Sequence, residues 1–250
     1  MTAKRDSSSA CKLPAETNAL ENSACHTNSP YSRQEFLGKL QQIGQLKYHD
    51  KHPFHLRLHE GSLSKTQVQE WIKNRFYYQS MIPIKDALIL SKLAGREDRR
   101  RWIQRIKDHD GDATEPGGIE AWLSFGESAG ICRAEMLDPA AILPGVRFAV
   151  DAYVNFCRLN SWYPAVASSL TEMFSPTLIA DRMSALRQHY PWLEESGLKY
   201  FKNRLHQAPS DCDHALHLVL EHGTTSDYQK QALESLSFKC DVLWAILDAI

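Results

Sequence analysis

From Ser32 to Ile250, helix-start and helix-stop signals follow one another along this chain, and no stretch alternates apolar and polar residues as a half-buried strand does. Ser32-x-x-Glu35, Ser64-x-x-Gln67 and Ser226-x-x-Gln229 each have the form of a capping box, in which side chains satisfy the free amides of a helix's first turn. Helices are expected near 33–47, 65–92, 97–109, 118–130, 146–160, 163–174, 178–188, 194–206, 212–222 and 227–249. Gly111, Gly117-Gly118, Pro144-Gly145, Pro176, Pro191 and Gly223 punctuate them. There are no internal repeats and no glycine-rich phosphate loop. The expected fold class is all-α, a compact multi-helix bundle.

With 250 residues, 43% of them hydrophobic, such a bundle can bury a substantial core without disulfides or metals. Residues 1–30 are the exception. Rich in Ser, Thr, Asn, Ala and Glu, they offer too little apolar surface to offset their ordering entropy, and we read them as a mobile tail before a single helical domain over 31–250. A formal charge of −1 gives no reason to expect nucleic acid or an anionic membrane as partner. No apolar run is long enough for a membrane helix, and the N-terminus lacks the apolar core of a signal peptide. The six cysteines (11, 25, 132, 157, 212 and 240) are scattered with no C-x-x-C spacing. Reduced thiols and a cytoplasmic location are expected.

Chemistry is densest in RFYYQSMIPIKDALILSK, residues 75–92. On a helical wheel, Phe76, Tyr77, Met81, Pro83, Ile84, Ala87, Leu88 and Leu90 take a broad arc. Arg75, Tyr78, Gln79, Lys85 and Asp86 take the remaining third, with Ile82 and Ile89 in its midst. One reading is a solvated face carrying two isoleucines. The other is a helix buried all round, its polar stripe lining an internal cavity where facing helices converge on one ligand. Spacing alone does not decide between them.

Arg105 and His109, four apart, share a helix face near its C-terminal end, either as a surface pair or as a proton shuttle. Tyr200 and Arg204 repeat that geometry and could hold a carboxylate or a developing oxyanion. The histidines of YHDKHPFHLRLHEG (49, 52, 55 and 59) fit no tight tetrahedral motif, and Pro53 is expected to break the helix that would align them, so no metal is expected. Thr171-Glu172 puts an acid within an apolar helix, where burial would need a partner. Lys239 in LSFKCDVLW is similar, although snorkelling to water is the usual outcome. No cysteine has an obvious histidine or acid partner in sequence.

YHDKHPFHLRLHEG, NRFYYQSMIPIKDA, RRRWIQRIKDHDG, GGIEAWL, LPGVRFAVDAYVNF, ASSLTEMFSP, QHYPWL and FKCDVLWAILDA run in order from about residue 45 to the end. Together they resemble the pyrroloquinoline-quinone synthase (PqqC) family. The resemblance implies a heme-oxygenase-like helical fold, usually a homodimer, around a positively charged cavity. It implies the last step of pyrroloquinoline quinone (PQQ) formation. A tricarboxylate quinone precursor is ring-closed and oxidised by molecular oxygen with release of hydrogen peroxide, without metal or redox cofactor. Carried over residue by residue, the resemblance makes His109 the proton-transferring group and puts Tyr200 and Arg204 beside oxygen and the reduced intermediate. His49, Arg75, Tyr78, Gln79, Lys85, Arg105, Tyr153, Thr171, Glu172, Arg182 and Lys239 become the polar ring around the substrate.

This chain departs from the family's pattern in three places. Ile179 stands where the family commonly has an active-site histidine. The sequence stops at Ile250, within an apolar helix, where family members usually continue into residues that help cover the site. The first thirty residues have no family counterpart. The first two departures would suit a non-catalytic or degenerate quinone-binding relative. Two further readings belong to the same fold superfamily: a thiaminase-like hydrolase, which would need a cysteine nucleophile in the cavity, and a di-iron oxidase, which would need a carboxylate–histidine ligand set.

Overall fold

In a computed structural model of the protein, which describes residues 29–250, the first two capping boxes form as expected. Ser32 Oγ accepts from the Glu35 amide at 3.3 Å and the Glu35 carboxylate accepts from the Ser32 amide at 2.9 Å, opening α1 (Arg33–Lys47). Ser64 and Gln67 do the same for α3 (Lys65–Leu90), after the short α2 (Pro53–His59). There follow α4 (Arg96–Asp110), α5 (Gly117–Ser128), α6 (Arg133–Leu137), α7 (Pro144–Leu159), α8 (Trp162–Ala167), α9 (Ser175–His189), α10 (Lys199–His222) and α11 (Ser226–Asp248). The described residues contain no strand, and none of their helices is long and apolar enough to cross a membrane. The expected tail falls almost wholly on residues 1–28, outside the described part of the chain.

The third capping box does not form. Thr225, one residue earlier, is extended and accepts from the Tyr228 amide at 3.2 Å, so Ser226 is already helical. Gln229 instead accepts from the Tyr31 amide and donates to the Tyr31 and Gly223 carbonyls, tying the chain's entry to α11. Pro53 does not break a helix; it opens one, at the first helical position, where its missing N–H costs nothing. The expected helix at 163–174 divides at Ala167 into α8 and a 3-10 segment, Ser168–Phe174. Helices expected at 194–206 and 212–222 are one, because α10 runs straight through Pro209. The ring's φ already suits a helix, and the lost hydrogen bond is offset by the packing of Ala208, Cys212, Ala215, Leu218 and Val219, all buried.

α3 crosses the middle of the molecule, packed against α4, α5 and α7. Val68, Trp71, Ile72 and Phe76 are buried, but so are Gln79, Lys85 and Asp86, whereas Ile84, 46% exposed, and Ala87 reach solvent from the apolar arc. Polar groups inside and apolar groups outside leave the helix without the usual amphipathic signature, which is why the wheel alone does not decide. Two apolar clusters flank it. One joins α1, α7, α8 and α11 through Phe36, Leu40, Val150, Tyr163 and Leu243. The other joins α2, α5, α9 and α10 around Trp71, Trp122, Phe125 and Phe201, whose rings meet edge to face at 5.2–6.2 Å, each such pair adding about 1 kcal/mol beyond area burial.

Candidate active site

A cavity of about 100 Å³ opens at the seam of the two clusters, so its apolar lining comes from both: Tyr48, Leu178 and Leu243 from one, Trp122, Ile179 and Phe201 from the other. The polar stripe of α3 forms one wall, through Arg75, Tyr78, Gln79, Ile82 and Lys85. The second stripe isoleucine, Ile89, is instead wholly in the core. The 3-10 segment adds Ser169, Thr171 and Glu172, α10 adds Tyr200 and Arg204, and α11 adds Lys239. His49, His109, Tyr153 and Arg182 complete it. Of the residues that the resemblance placed at the site, all but Arg105 line this one cavity; Arg105, only 2% exposed, stands behind Glu172 and holds both carboxylate oxygens at 2.8 Å.

The cations of this region fall into two kinds. Lys85 is ion-paired with Asp86 at 2.6 Å, which in turn accepts from the Trp102 indole at 3.1 Å. Arg105 is paired with Glu172, and Arg204 with Asp211 at 3.2 Å. Among the described residues no carboxylate lies within ion-pair distance of Arg75, Arg182 or Lys239. Arg75 lies over the Tyr78 ring at 4.1 Å. Lys239 donates to Tyr78 Oη at 2.7 Å and sits over the Tyr153 ring at 3.4 Å. Arg182 Nη2 donates to His55 Nε2 at 3.1 Å, while its Nε has no partner. Burial and the neighbouring Arg75 lower the Arg182 pKa to about 10. Burial, with Lys85 and Arg75 nearby, holds the Lys239 ammonium well below the usual lysine range. Arg75, half-buried, with Arg182 and Lys239, both buried, have no counter-ion among the described residues; holding such groups in the fold costs stability, and an anionic ligand is what would offset that cost.

His109 reaches the cavity from the last turn of α4. Gly111 and Gly117, both at positive φ, let the chain turn back at once, so that α5 starts against the α4 terminus. His109 Nδ1 lies 3.0 Å from the Arg105 carbonyl, which can only accept; Nδ1 is therefore the protonated nitrogen, and Nε2, buried and without a partner, keeps its lone pair. Burial and then the charge of Arg204 depress the His109 pKa to about 3, so the ring is neutral across the physiological range. Tyr200 donates to Gln79 Oε1 at 2.8 Å, linking α10 to α3 across the cavity.

Three of the four histidines form a row, with ring centroids 4.7 Å apart from His49 to His55 and 6.2 Å from His55 to the parallel ring of His59, while His52 stands apart against Trp244. His52 caps α2 by accepting from the Phe54 amide and pairs with Asp248, His55 meets Arg182, and His59 is half-buried. No group of three or more metal-ligating side chains is assembled among the described residues. No described cysteine lines the cavity, and burial pushes the thiols of Cys157, Cys212 and Cys240 upward, Cys212 to about 12 and Cys240 to about 11. Ile179 does line it, presenting an aliphatic side chain one turn from Arg182. The reading from sequence missed Asp211, Ser169 and Tyr48. Asp211 follows Arg204 at i+7, a spacing that two helical turns put on one face, but nothing in SDCDHAL marks which of its two acids is buried.

The chain belongs to the TENA/THI-4/PQQC family, whose model matches residues 37–249. It is 54% identical over 216 residues to a pyrroloquinoline-quinone synthase of Ectopseudomonas mendocina (strain ymp), covering 86% of each chain. To that of Pseudomonas aeruginosa (strain LESB58) it is 51% identical over 218 residues, 87% of each. A TenA homologue of Pseudomonas syringae pv. tomato shares the fold at a TM-score of 0.72 and 13% identity, over 95% of this chain and 98% of that one. A domain with a heme oxygenase-like fold from Shewanella denitrificans shares it at 0.67 and 13%, over 86% and 88%. At that identity the likeness shows the fold alone: this chain has the heme-oxygenase-like helical fold that the resemblance implied.

Proposed function

We propose that this chain is a pyrroloquinoline-quinone synthase. It would close the second ring of a tricarboxylate quinone precursor and oxidise it with molecular oxygen to PQQ, releasing hydrogen peroxide. The observation that carries this reading is the charge of the cavity. Lys85, Arg105 and Arg204 are neutralised by Asp86, Glu172 and Asp211, which leaves Arg75, Arg182 and Lys239 to meet three ligand carboxylates. Relatives bearing that name, identical at half of the aligned positions, support it.

In this reading the cations and the Tyr78, Gln79, Tyr153, Thr171 and His49 side chains orient the precursor, and the apolar lining, Ile82 and Ile179 included, keeps water out. His109 Nε2 takes protons from ring carbon as electrons leave the quinoid system for oxygen. Each dioxygen that leaves as peroxide accepts two electrons and two protons, and Tyr200 with Arg204 stabilises the anionic oxygen on the way. The electrons belong to the substrate ring, so the proposed reaction uses no metal or flavin.

The same reading carries a cytoplasmic homodimer without nucleic-acid or membrane partners. The outward face of α7 supports the dimer, because Phe148 and Leu159, 73% and 82% exposed, leave large apolar groups in water. Incubating purified full-length protein with precursor in air tests the function. PQQ should accumulate over many turnovers, and failure to convert a precursor that binds would favour a non-catalytic relative.

A further inference from the structure

Asp211 is 8% exposed and lies outside the cavity wall, in a cleft between α4 and α10 that also exposes Arg101, Gln104 and His206. Its carboxylate takes Arg204 Nη1 at 3.2 Å and stands 3.9 Å from Arg105 Nε, while its backbone carbonyl accepts from Arg105 Nη2. On the cavity side Glu172 holds Arg105 at 2.8 Å and stands 3.9 Å from Arg204 Nη2. The four groups make a square of alternating charge, with both arginines stretched between an inner and an outer carboxylate.

We propose that Asp211 is a positioning residue: it sets the Arg204 fork within the cavity and cancels the Arg204 charge from the sum that meets the ligand. This rests on the cavity's being a tricarboxylate site. Two carboxylates compete for Arg204. Arg204 lies 3.2 Å from Asp211 but 3.9 Å from Glu172, so the outer carboxylate holds it. Gln207 Oε1, at 3.4 Å on the same nitrogen, carries no charge and cannot substitute. Without the Asp211 charge, Glu172 is the remaining carboxylate for both arginines. The Arg204 guanidinium would then turn toward it and away from the place the lone pair of His109 and the hydroxyl of Tyr200 define. With one carboxylate left for two arginines, the cluster would also carry one more net positive charge, which favours binding of an anion while the geometry for turnover is lost. A residue that merely supported the fold would weaken both together.

The test compares the native chain with Asp211→Asn, which keeps the shape, and Asp211→Glu, which keeps the charge one methylene further out. Equilibrium binding of PQQ and turnover of precursor in air are measured on the same preparations. Asp211→Asn should bind PQQ as tightly as the native chain or severalfold tighter, yet turn over on the order of 100-fold more slowly at saturating precursor. Asp211→Glu should recover part of the rate, and if Asp211→Asn does not fold it should still lose rate without losing affinity. Unchanged turnover in Asp211→Asn, or parallel loss of affinity and rate in the folded variants, overturns the proposal. A native chain that neither binds nor converts defeats the tricarboxylate reading itself, and the proposal with it.

Discussion

The Nδ1–H of His109 donates to the carbonyl oxygen of Arg105 at 3.0 Å, and that single bond decides which nitrogen of the imidazole faces the cavity as a base. Its partner Nε2 is buried and carries no other bond. An unpaired lone pair in an apolar wall is costly unless it has a proton to take. His109→Ala should therefore lower turnover by roughly 10²–10⁴-fold, the range for losing a general base, while PQQ affinity changes severalfold at most. Steady-state rates with a parallel binding titration check this.

The depressed pKa of His109 also has a sign in stability. The folded chain keeps the ring neutral down to about pH 3, whereas the unfolded chain protonates it near 6.5. The unfolded state thus binds the extra proton, so this contribution is complete above about pH 6.5 and is lost as pH falls toward 3. Asp211, raised to about 6 chiefly by burial, works in the opposite direction over part of that window. Comparing native and His109→Gln isolates the histidine. The melting temperature of the native protein should fall more steeply between pH 6.5 and 4 than that of the variant.

Lys239, pressed against the Tyr153 ring with no carboxylate near it, is a cost to the ligand-free fold. Lys239→Met should raise the melting temperature by a few degrees, about 1–2 kcal/mol for a chain of this size, and weaken PQQ binding by roughly 10–100-fold. Scanning calorimetry with and without PQQ separates the two effects. A variant both less stable and equally tight would contradict it.

Binding should also take up protons. Burial and neighbouring cations hold Lys239 and His49 well below their usual ranges, and an arriving carboxylate reverses that influence. Titration calorimetry of PQQ binding at pH 7.5 in buffers of different ionisation enthalpy should give net proton uptake, with affinity falling as pH rises. Binding without uptake would mean these groups are not at the carboxylates.

Much of the site was legible because polar side chains stand out inside apolar helices. Thr171-Glu172 and Lys239 needed partners if buried, and both have them: Arg105 for Glu172, Tyr78 for Lys239. Helix starts were legible where a capping box had no competitor, as at Ser32 and Ser64, and misplaced by one residue where Thr225 offered its own oxygen. Proline misled twice, for two different reasons. Pro53 starts α2 at a position whose N–H would be unbonded in any case, whereas Pro209 does forfeit an interior hydrogen bond of α10, and the buried face of that helix offsets the loss. Asp211 was illegible because its contact with Arg105 crosses from α10 to α4, which no local spacing encodes, and its i+7 spacing from Arg204 does not by itself say that the acid is buried.

The most direct measurement mixes purified full-length protein, treated with chelator, with precursor under anaerobic conditions and then admits oxygen. Absorbance and peroxide are followed together. A bound, unconverted complex is expected at first, and after oxygen the spectrum of PQQ with hydrogen peroxide and repeated turnover. A complex that persists unchanged in oxygen, or conversion that returns only when a metal is added back, would contradict the proposed reaction.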